Sequence, residues 1–290
     1  MLFTPKTQPA FSQSVVKSAA NANRKMSARE RNKIYLLLGI SLIGIVAVFF
    51  VEPIPQDHAY HHFADSRTLF SIANFWNVVS NLPFLVFGLA GFLSIVQRKP
   101  TGILLKLTAA YLLFFTGIFF TGIGSAYYHY YPTNATLLWD RLPMTIAFMA
   151  FFAIIIGEFI SLKAGRKLLL PLLLIGAGSV IYWHFTEQAG RGDLRFYALV
   201  QFLPIILIPV IMGLFRSAFN TNLYIWLIIA TYLMAKIFET YDEQVYEILN
   251  QISGHTIKHF MASLVPLIFL IGLYKRRLIT TENQQNFKTN

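Results

Sequence analysis

The sequence predicts an all-α polytopic membrane protein, and three observations support this fold class. Hydrophobic residues make up 56% of the 290 residues and charged residues only 13%. The mean hydropathy is +0.55, which is outside the usual range of soluble domains. The apolar residues also form long runs, and about 17 to 25 apolar residues are enough for a helix to cross the hydrocarbon layer of a bilayer.

Eight runs of this length follow one another along the chain. The first has no small-residue cleavage site after it and is long for a signal peptide, so we interpret it as a transmembrane helix. The even count predicts that both ends of the chain lie on the same side of the membrane. The predicted spans cover residues 34–51, 75–96, 107–128, 140–160, 168–185, 196–215, 222–238 and 255–274.

The connections between the spans alternate between basic and acidic. Lys and Arg collect before the first span, in the second, fourth and sixth loops, and after the last span. Because these residues are enriched on the cytoplasmic side, both termini are predicted to be cytoplasmic. Residues 1–33 are predicted to form a disordered basic tail and residues 276–290 a second cytoplasmic tail. The pattern fits a bacterial inner membrane, with an endoplasmic reticulum membrane as the alternative.

The composition also excludes some kinds of function. The net charge is +11, but binding of nucleic acid would need the basic residues on one soluble face, and here they lie in short segments between apolar runs. The chain contains no cysteine. A metal ion would therefore have to be bound by His, Asp or Glu side chains.

Five polar residues are predicted to lie at one depth, near the outer ends of three spans. Ser125 and His129 end the third span, Asp140 begins the fourth, and His255 and His259 begin the eighth. Residues four apart on a helix lie on the same face. Ser125 and His129 have this spacing, as do His255 and His259. The sequence therefore predicts that the five side chains face one site.

The residue types at this site suggest a catalytic zinc centre. Three imidazoles, from His129, His255 and His259, would leave one open position on the ion, and imidazole suits zinc better than magnesium or calcium. A zinc ion lowers the pKa of its bound water to about 7. Asp140 could then carry protons and Ser125 could donate to a developing oxyanion. The alternative is that these histidines are packing residues, as single histidines in membrane helices usually are.

Other residues are interpreted more simply. Gly122 and Gly124 predict the close approach of another helix or of a substrate. Asn77 and Asn81 are interpreted as residues that pack helices together through hydrogen bonds. Arg141 is predicted to lie at the membrane interface, with pairing to a lipid phosphate as the alternative. Glu158 is predicted to extend toward the cytoplasmic surface.

Three segments of the sequence resemble the alkaline ceramidase family and the wider superfamily of seven-helix membrane hydrolases that includes the adiponectin and progestin receptors. The resemblance implies a seven-helix core within residues 57–275, and makes the first span, at 34–52, an N-terminal addition. The segments are FWNVVSNLPF at 75–84, GIGSAYYHYYPTNATLLWDRLPM at 121–143 and SGHTIKHF at 253–260.

The resemblance also implies roles for individual residues. His129, His255 and His259 are implied to bind zinc, Asp140 to handle protons and Ser125 to polarise the substrate. These are the same five residues that the spacing selects.

The sequence differs from eukaryotic alkaline ceramidases at the residues that bind calcium. Eukaryotic alkaline ceramidases bind calcium through an acidic stretch before the first core helix and a glutamate just before the FWN block. Here Asn74 stands at the glutamate position, and the preceding stretch offers only Asp57 and Asp65. Because calcium takes six to eight oxygen ligands, a calcium site is not predicted.

The sequence therefore predicts a zinc-dependent membrane enzyme that hydrolyses the amide bond of a ceramide-like lipid. Another acyl lipid, with an ester or a different N-acyl bond, is a close alternative, because zinc chemistry does not by itself choose between them. A non-catalytic receptor or scaffold with a structural zinc would signal through large soluble tails, and the predicted tails are short. A transporter would need charged or broken helices at mid-membrane.

Overall fold

The computed structural model describes residues 27–279, and its regular structure is helical. Within this range there are two isolated β-bridges and no strand. The all-α fold class is therefore confirmed. Of the tails predicted at residues 1–33 and 276–290, residues 1–26 and 280–290 lie outside the described residues, and residues 28–33 belong to a helix.

Eight of the described helices are long and apolar enough to cross a membrane, and each overlaps one predicted span. The segments α2 and α3 together form one of these spans, and α5 continues into a π-helical turn. The α-helices are α1 (Ala28–Val48), α2 (Phe75–Val79), α3 (Leu82–Val96), α4 (Thr108–Tyr130), α5 (Asn134–Ile155), α6 (Leu162–Gln188), α7 (Arg195–Leu214), α8 (Leu223–Thr240), α9 (Asp242–Leu249) and α10 (Gly254–Lys275).

The boundary between two compact units falls within α1, after Ile40. In the first unit, the described residues form the start of α1. There the backbone N–H of Glu30 donates to Ser27 Oγ at 3.2 Å, and the N–H of Ser27 donates to Glu30 Oε2 at 2.8 Å. This reciprocal pair satisfies two donors at the start of the helix. The second unit contains all the residues described below.

Helix α5 begins at Asn134 rather than at residue 140, because the polar segment before Asp140 carries its own capping residues. The N–H of Thr136 donates to Thr133 Oγ1 at 3.2 Å, and the N–H of Thr133 donates to Thr136 Oγ1 at 3.0 Å. The hydropathy pattern missed this turn because Asn134 and Thr136 interrupt its apolar residues. Asp140 consequently lies about two turns inside α5, where its side chain is buried.

Glycines bring α4 into close contact with its neighbours on both sides. A Cβ added to Gly124 would lie 1.9 Å from the carbonyl oxygen of Trp139 on α5, and a Cβ added to Gly122 would lie 2.8 Å from a side-chain carbon of α3. The close approach predicted at these glycines is thus a contact between helices. Because Ser125 follows Gly124 and Asp140 follows Trp139, this contact also controls the spacing of those two side chains.

A buried ion pair joins α5 and α10 at the end of the bundle away from the histidines. Arg276 donates to both carboxylate oxygens of Glu158, from Nη1 at 2.8 Å and from Nη2, and Tyr111 donates to the same carboxylate at 2.6 Å. Glu158 and Arg276 are each 3% exposed. The prediction that Glu158 extends toward the membrane surface is wrong, because its partner comes from the far end of α10.

Replacing Gly124 with Ala should lower the free energy of unfolding by about 1 to 3 kcal/mol. The added methyl group would overlap the Trp139 carbonyl, and backbone can give way only if α4 and α5 separate. Thermal unfolding in detergent measures the effect. Gly178→Ala on α6 is the matched control, since nothing lies within 4 Å of its added Cβ, and it should be neutral or slightly stabilising. Equal destabilisation by both variants would contradict the close contact.

Candidate metal centre

Three histidine side chains from two helices meet at one buried point. His129 lies in the last turn of α4. Ser253 starts α10 by accepting from the N–H of Thr256 at 3.3 Å, which puts His255 and His259 in the first two turns of that helix. The Nε2 atom of His129 lies 3.1 Å from that of His259 and 3.3 Å from that of His255. The structure therefore brings together the three histidines that the sequence selects.

This geometry fits a metal ion better than a packing cluster. In a tetrahedral zinc site with Zn–N distances of about 2.0 to 2.1 Å, the ligand nitrogens lie about 3.4 Å apart, close to the separations seen here. A neutral imidazole carries one proton on its two nitrogens. Three Nε2 atoms that face one another therefore cannot all be satisfied by hydrogen bonds among themselves. The group is buried and could hold a metal ion.

A serine that the sequence analysis missed supports one of these rings. Ser80 Oγ lies 2.7 Å from Nδ1 of His259, and both side chains are buried. A partner on the second nitrogen of a metal-binding histidine fixes its tautomer and orientation. Ser80 stands in the FWNVVSN segment three residues after Asn77. The sequence feature that could have identified Ser80 is a hydroxyl group next to two amides in an otherwise apolar span.

The asparagines of this segment hold α2 against the helices that carry the histidines. Asn77 Oδ1 accepts from Thr256 Oγ1 at 2.8 Å, and Asn74 Nδ2 donates to the backbone carbonyl of His129 at 2.8 Å. Asn81 Nδ2 donates to the carbonyl of Asn77 at 2.7 Å, within its own segment. The interpretation of these amides as packing residues fits Asn77 best, since its bond joins two helices.

The segment before α2 covers the metal centre. The ring centroid of Phe63 lies 4.7 Å from that of His129 and 5.1 Å from that of His255. Asp242, at the start of the short helix α9, accepts from the N–H of His255 at 2.6 Å and from the N–H of Ala64 at 3.1 Å. Helix α9 is too short and polar for the hydropathy pattern to find, yet it ties this covering segment to α10.

His61 fastens the same segment to α4 and α5. Its Nδ1 lies 3.0 Å from the Tyr128 hydroxyl, and its Nε2 lies 2.8 Å from Asn134 Oδ1. Burial lowers the pKa of His61 below its usual value, because a charged imidazolium is less well solvated here. Burial therefore favours the neutral form of this ring, which serves as a hydrogen-bonding link.

Two residues in the region that corresponds to the calcium site of eukaryotic alkaline ceramidases have other partners. Asp65 binds Arg67 through both carboxylate oxygens, at 2.8 and 2.7 Å. Asn74 donates to the carbonyl of His129. Both side chains are engaged within the protein.

A cavity of about 410 Å³ lies beside the metal centre. Its polar lining comes from the helix turns nearest the histidines and includes Ser125, Asp140 and His259, whereas the turns farther along the helices contribute mainly Phe and Ile side chains. Ser125 and Asp140 are buried, and their side chains are close enough to interact. The structure thus brings both residues to the same cavity as His259.

Three charged side chains that the sequence analysis did not select line the same cavity. Lys258 Nζ lies 3.1 Å from Nε2 of His255 and donates to Glu239 Oε1 at 3.2 Å. Lys236 forms an ion pair with the other oxygen of Glu239. Lys258 stands between the two histidines of SGHTIKHF, and this position could have identified it as a site residue. Its partner Glu239 belongs to a different helix, so the sequence does not show the pair.

Arg141 is buried rather than exposed at the membrane interface. Its guanidinium carbon lies 4.4 Å from the ring centroid of Trp183 and 4.9 Å from that of Tyr197, and its Nη2 donates to Gln56 Oε1 at 2.7 Å. The other terminal nitrogen, Nη1, is buried without a partner among the described residues. The interface prediction is wrong, because aromatic rings from α6 and α7 enclose the cation.

The fold and this centre define a polytopic membrane protein with a buried three-histidine cluster at one end of its helical bundle. The family model described as Ceramidase matches residues 65–288, and the protein therefore belongs to the ceramidase family. The resemblance seen in the sequence is confirmed. Membership implies a hydrolase that acts on amide bonds in a lipid. A search of the curated proteins finds no match.

Replacing Ser80 with Ala should weaken metal binding about 10- to 100-fold, which is the usual effect of losing a hydrogen bond behind a metal-binding histidine. Competition with a fluorescent zinc chelator measures the affinity. Ser263→Ala is the matched control on α10, because that buried hydroxyl donates only to the carbonyl of Phe260 in its own helix. A Ser80 variant that binds zinc as tightly as the control would contradict the supporting role.

Proposed function

We propose that this protein is a zinc-dependent membrane hydrolase that cleaves the amide bond of a ceramide-like lipid. The observation that carries the proposal is the convergence of three buried Nε2 atoms, 3.1 and 3.3 Å apart, beside a cavity that contains Asp140 and Ser125. Membership of the ceramidase family supports the same class of reaction. Imidazole ligands favour zinc over magnesium or calcium.

His129, His255 and His259 would hold the ion through Nε2 and leave one position of a tetrahedral site open. When bound, zinc supplies the acidity that makes water a nucleophile near neutral pH and that polarises the amide carbonyl. The protein's own side chains must then orient the amide and carry the protons.

Asp140 is the proposed proton carrier. It lines the cavity beside His259, and among the described residues no ion pair holds its carboxylate. In our proposal it accepts the proton that the attacking water loses and delivers it to the amide nitrogen as the C–N bond breaks. An amine is a poor leaving group until its nitrogen is protonated, so a carboxylate at this position is what amide cleavage requires.

Ser125 is the proposed donor to the carbonyl oxygen. Its hydroxyl lies one turn before His129 on the same face of α4, and it lines the cavity. A donor aimed at an oxygen that becomes negatively charged stabilises the transition state more than the ground state. Ser125 would thus lower the barrier to attack on the carbonyl carbon.

The apolar part of the cavity supports a lipid substrate. Burial of an acyl chain contributes about 0.8 kcal/mol for each methylene group. A hydrocarbon chain among the Phe and Ile side chains would direct the amide toward the polar lining. The substrate would then react with its chain in the deeper turns and its amide beside the histidines.

Two other functions are less well supported. Hydrolysis of an ester or of another N-acyl lipid is the nearer one, because water activated by zinc attacks both kinds of carbonyl. A receptor or scaffold with a structural metal would keep the histidines. It would not need a buried carboxylate that faces a lipid-sized cavity, which favours an enzyme.

The orientation and domain division are further parts of the proposal. The alternation of basic and acidic loops favours cytoplasmic termini and a catalytic centre toward the non-cytoplasmic side, in a bacterial inner membrane. The hydrolase domain comprises residues 57–275, and the helix at 34–52 is an addition to it.

Replacing His255 with Ala should reduce bound zinc from about one ion per chain to near zero and abolish lipid turnover, because two nitrogens hold zinc poorly. Metal analysis and a hydrolysis assay with ceramides, other N-acyl lipids and lysolipids measure both quantities. His184→Ala is the control, since that ring lies on α6 and pairs with Gln188. Full activity in the His255 variant would remove the proposed mechanism.

Replacing Asp140 with Asn should leave zinc in place and lower kcat about 100- to 10,000-fold, because the amide has a similar shape but does not accept and release a proton near neutral pH. Asp57→Asn is the control, at an exposed capping position. If the Asp140 variant kept activity within about threefold of the control, the proposed proton carrier would be wrong.

A further inference from the structure

The cavity beside the metal centre carries more positive than negative side chains. An unmatched charge in a largely apolar, buried site is unfavourable unless an opposite charge accompanies it. The described residues that line the cavity leave one positive charge unmatched, before any metal ion is counted. The cations are Arg141, Lys236 and Lys258, and the carboxylates are Asp140 and Glu239.

The lysines do not find enough acceptors within the protein. Lys236 and Lys258 share the single carboxylate of Glu239, so one negative charge faces two positive ones. The other contact of Lys258 is Nε2 of His255, at 3.1 Å. That nitrogen is the one a metal ion would take. The Lys258 ammonium, which has three donors, would then have a donor available to another acceptor in the cavity.

Arg141 provides an independent observation. It is 5% exposed, and its Nη1 is a buried donor with no acceptor among the described residues. Among the described residues Arg141 forms no ion pair, and its hydrogen-bond partners are the neutral side chains of Gln56 and Tyr60. Buried donors are nearly always satisfied. Arg141 follows Asp140 in the chain and Lys258 precedes His259, and all four residues line the cavity, so the two cations lie on the side of the cavity that holds the proposed proton carrier.

We infer that the polar end of this cavity binds an acidic group of the substrate, close to the amide nitrogen, through Lys258 and Arg141. The inference rests on the proposed amide hydrolysis and narrows its substrate class to N-acyl lipids whose amine part carries a carboxylate or a phosphate. The acidic group belongs to the amine part, because the cations lie beside Asp140 and His255 while the apolar turns take the acyl chain. A neutral ceramide offers only hydroxyl groups there and would leave the positive charge unmatched.

Matched pairs of substrates in mixed micelles test the inference. N-palmitoylglycine is compared with N-palmitoylethanolamine, and ceramide 1-phosphate with ceramide. We expect kcat/KM to be at least about tenfold higher for the acidic member of one pair, a difference of about 1.4 kcal/mol, and the pair that shows it tells carboxylate from phosphate. Equal or faster turnover of the neutral member in both pairs would overturn the inference.

Variants of Lys258 separate recognition of the acidic group from a structural role. Lys258→Met should reduce the preference to within about threefold, and Lys258→Arg should keep it, because the charge is retained. Lys163→Met, an exposed change on α6, removes the same charge away from the cavity and should also keep the preference. If Lys258→Met lowered turnover of both members equally and left their ratio intact, the lysine would serve structure and the inference would be wrong.

A binding measurement distinguishes failure of the inference from failure of the proposed function. Calorimetry with protein freed of metal by a chelator should show N-palmitoylglycine or ceramide 1-phosphate binding at least about tenfold more tightly than its neutral partner. Lys258→Met, which leaves Glu239 paired with Lys236, should remove the difference. If none of the four lipids is hydrolysed, the proposed function fails and this measurement still decides the inference. Equal affinities would contradict it.

Discussion

One imidazole from α4 meets two from α10, and this contact constrains how the two helices lie relative to each other. Nitrogen atoms 3.1 and 3.3 Å apart tolerate little relative movement of their helices, since metal–ligand distances hold within about 0.2 Å. Neighbouring elements limit that movement. Ser80 and Asn77 hold α10 from the second span, and Asp242 holds its first turn from α9.

Buried charges are paired differently at the two ends of the helical bundle. At the end away from the histidines, Glu158 and Arg276 bury opposite charges against each other, and removal of either would cost about 3 to 5 kcal/mol. That pair fixes α10 to α5 without any ligand. At the histidine end, the charges around the cavity are incompletely matched, and polar atoms such as Nη1 of Arg141 lack partners among the described residues. Incompletely matched charge at the histidine end is what a binding site for a charged group requires.

The sequence predicted the spans and the five principal site residues because both depend on short spacings. The pairs Ser125/His129 and His255/His259 are each one helical turn apart, and the apolar runs show directly in the hydropathy. Their joint zinc chemistry and the roles of Ser125 and Asp140 stay predictions, although the structure brings the side chains to one cavity.

The remaining contacts could not be predicted because they join distant parts of the chain. Ser80 meets His259 across 179 residues, and Glu158 meets Arg276 across 118. A single sequence shows that each of these residues is polar and lies in an apolar span. It does not show which side chain will be its neighbour, so Glu158 was assigned to the membrane surface and Lys258 was passed over.

X-ray absorption spectroscopy at the zinc edge on the purified, zinc-loaded protein decides whether the three histidines bind one ion. We expect a four-coordinate ion with nitrogen or oxygen neighbours at about 2.0 to 2.1 Å and the outer-shell scattering of three imidazole rings. A six-coordinate ion with oxygen neighbours, or scattering from fewer than two imidazoles, would contradict it.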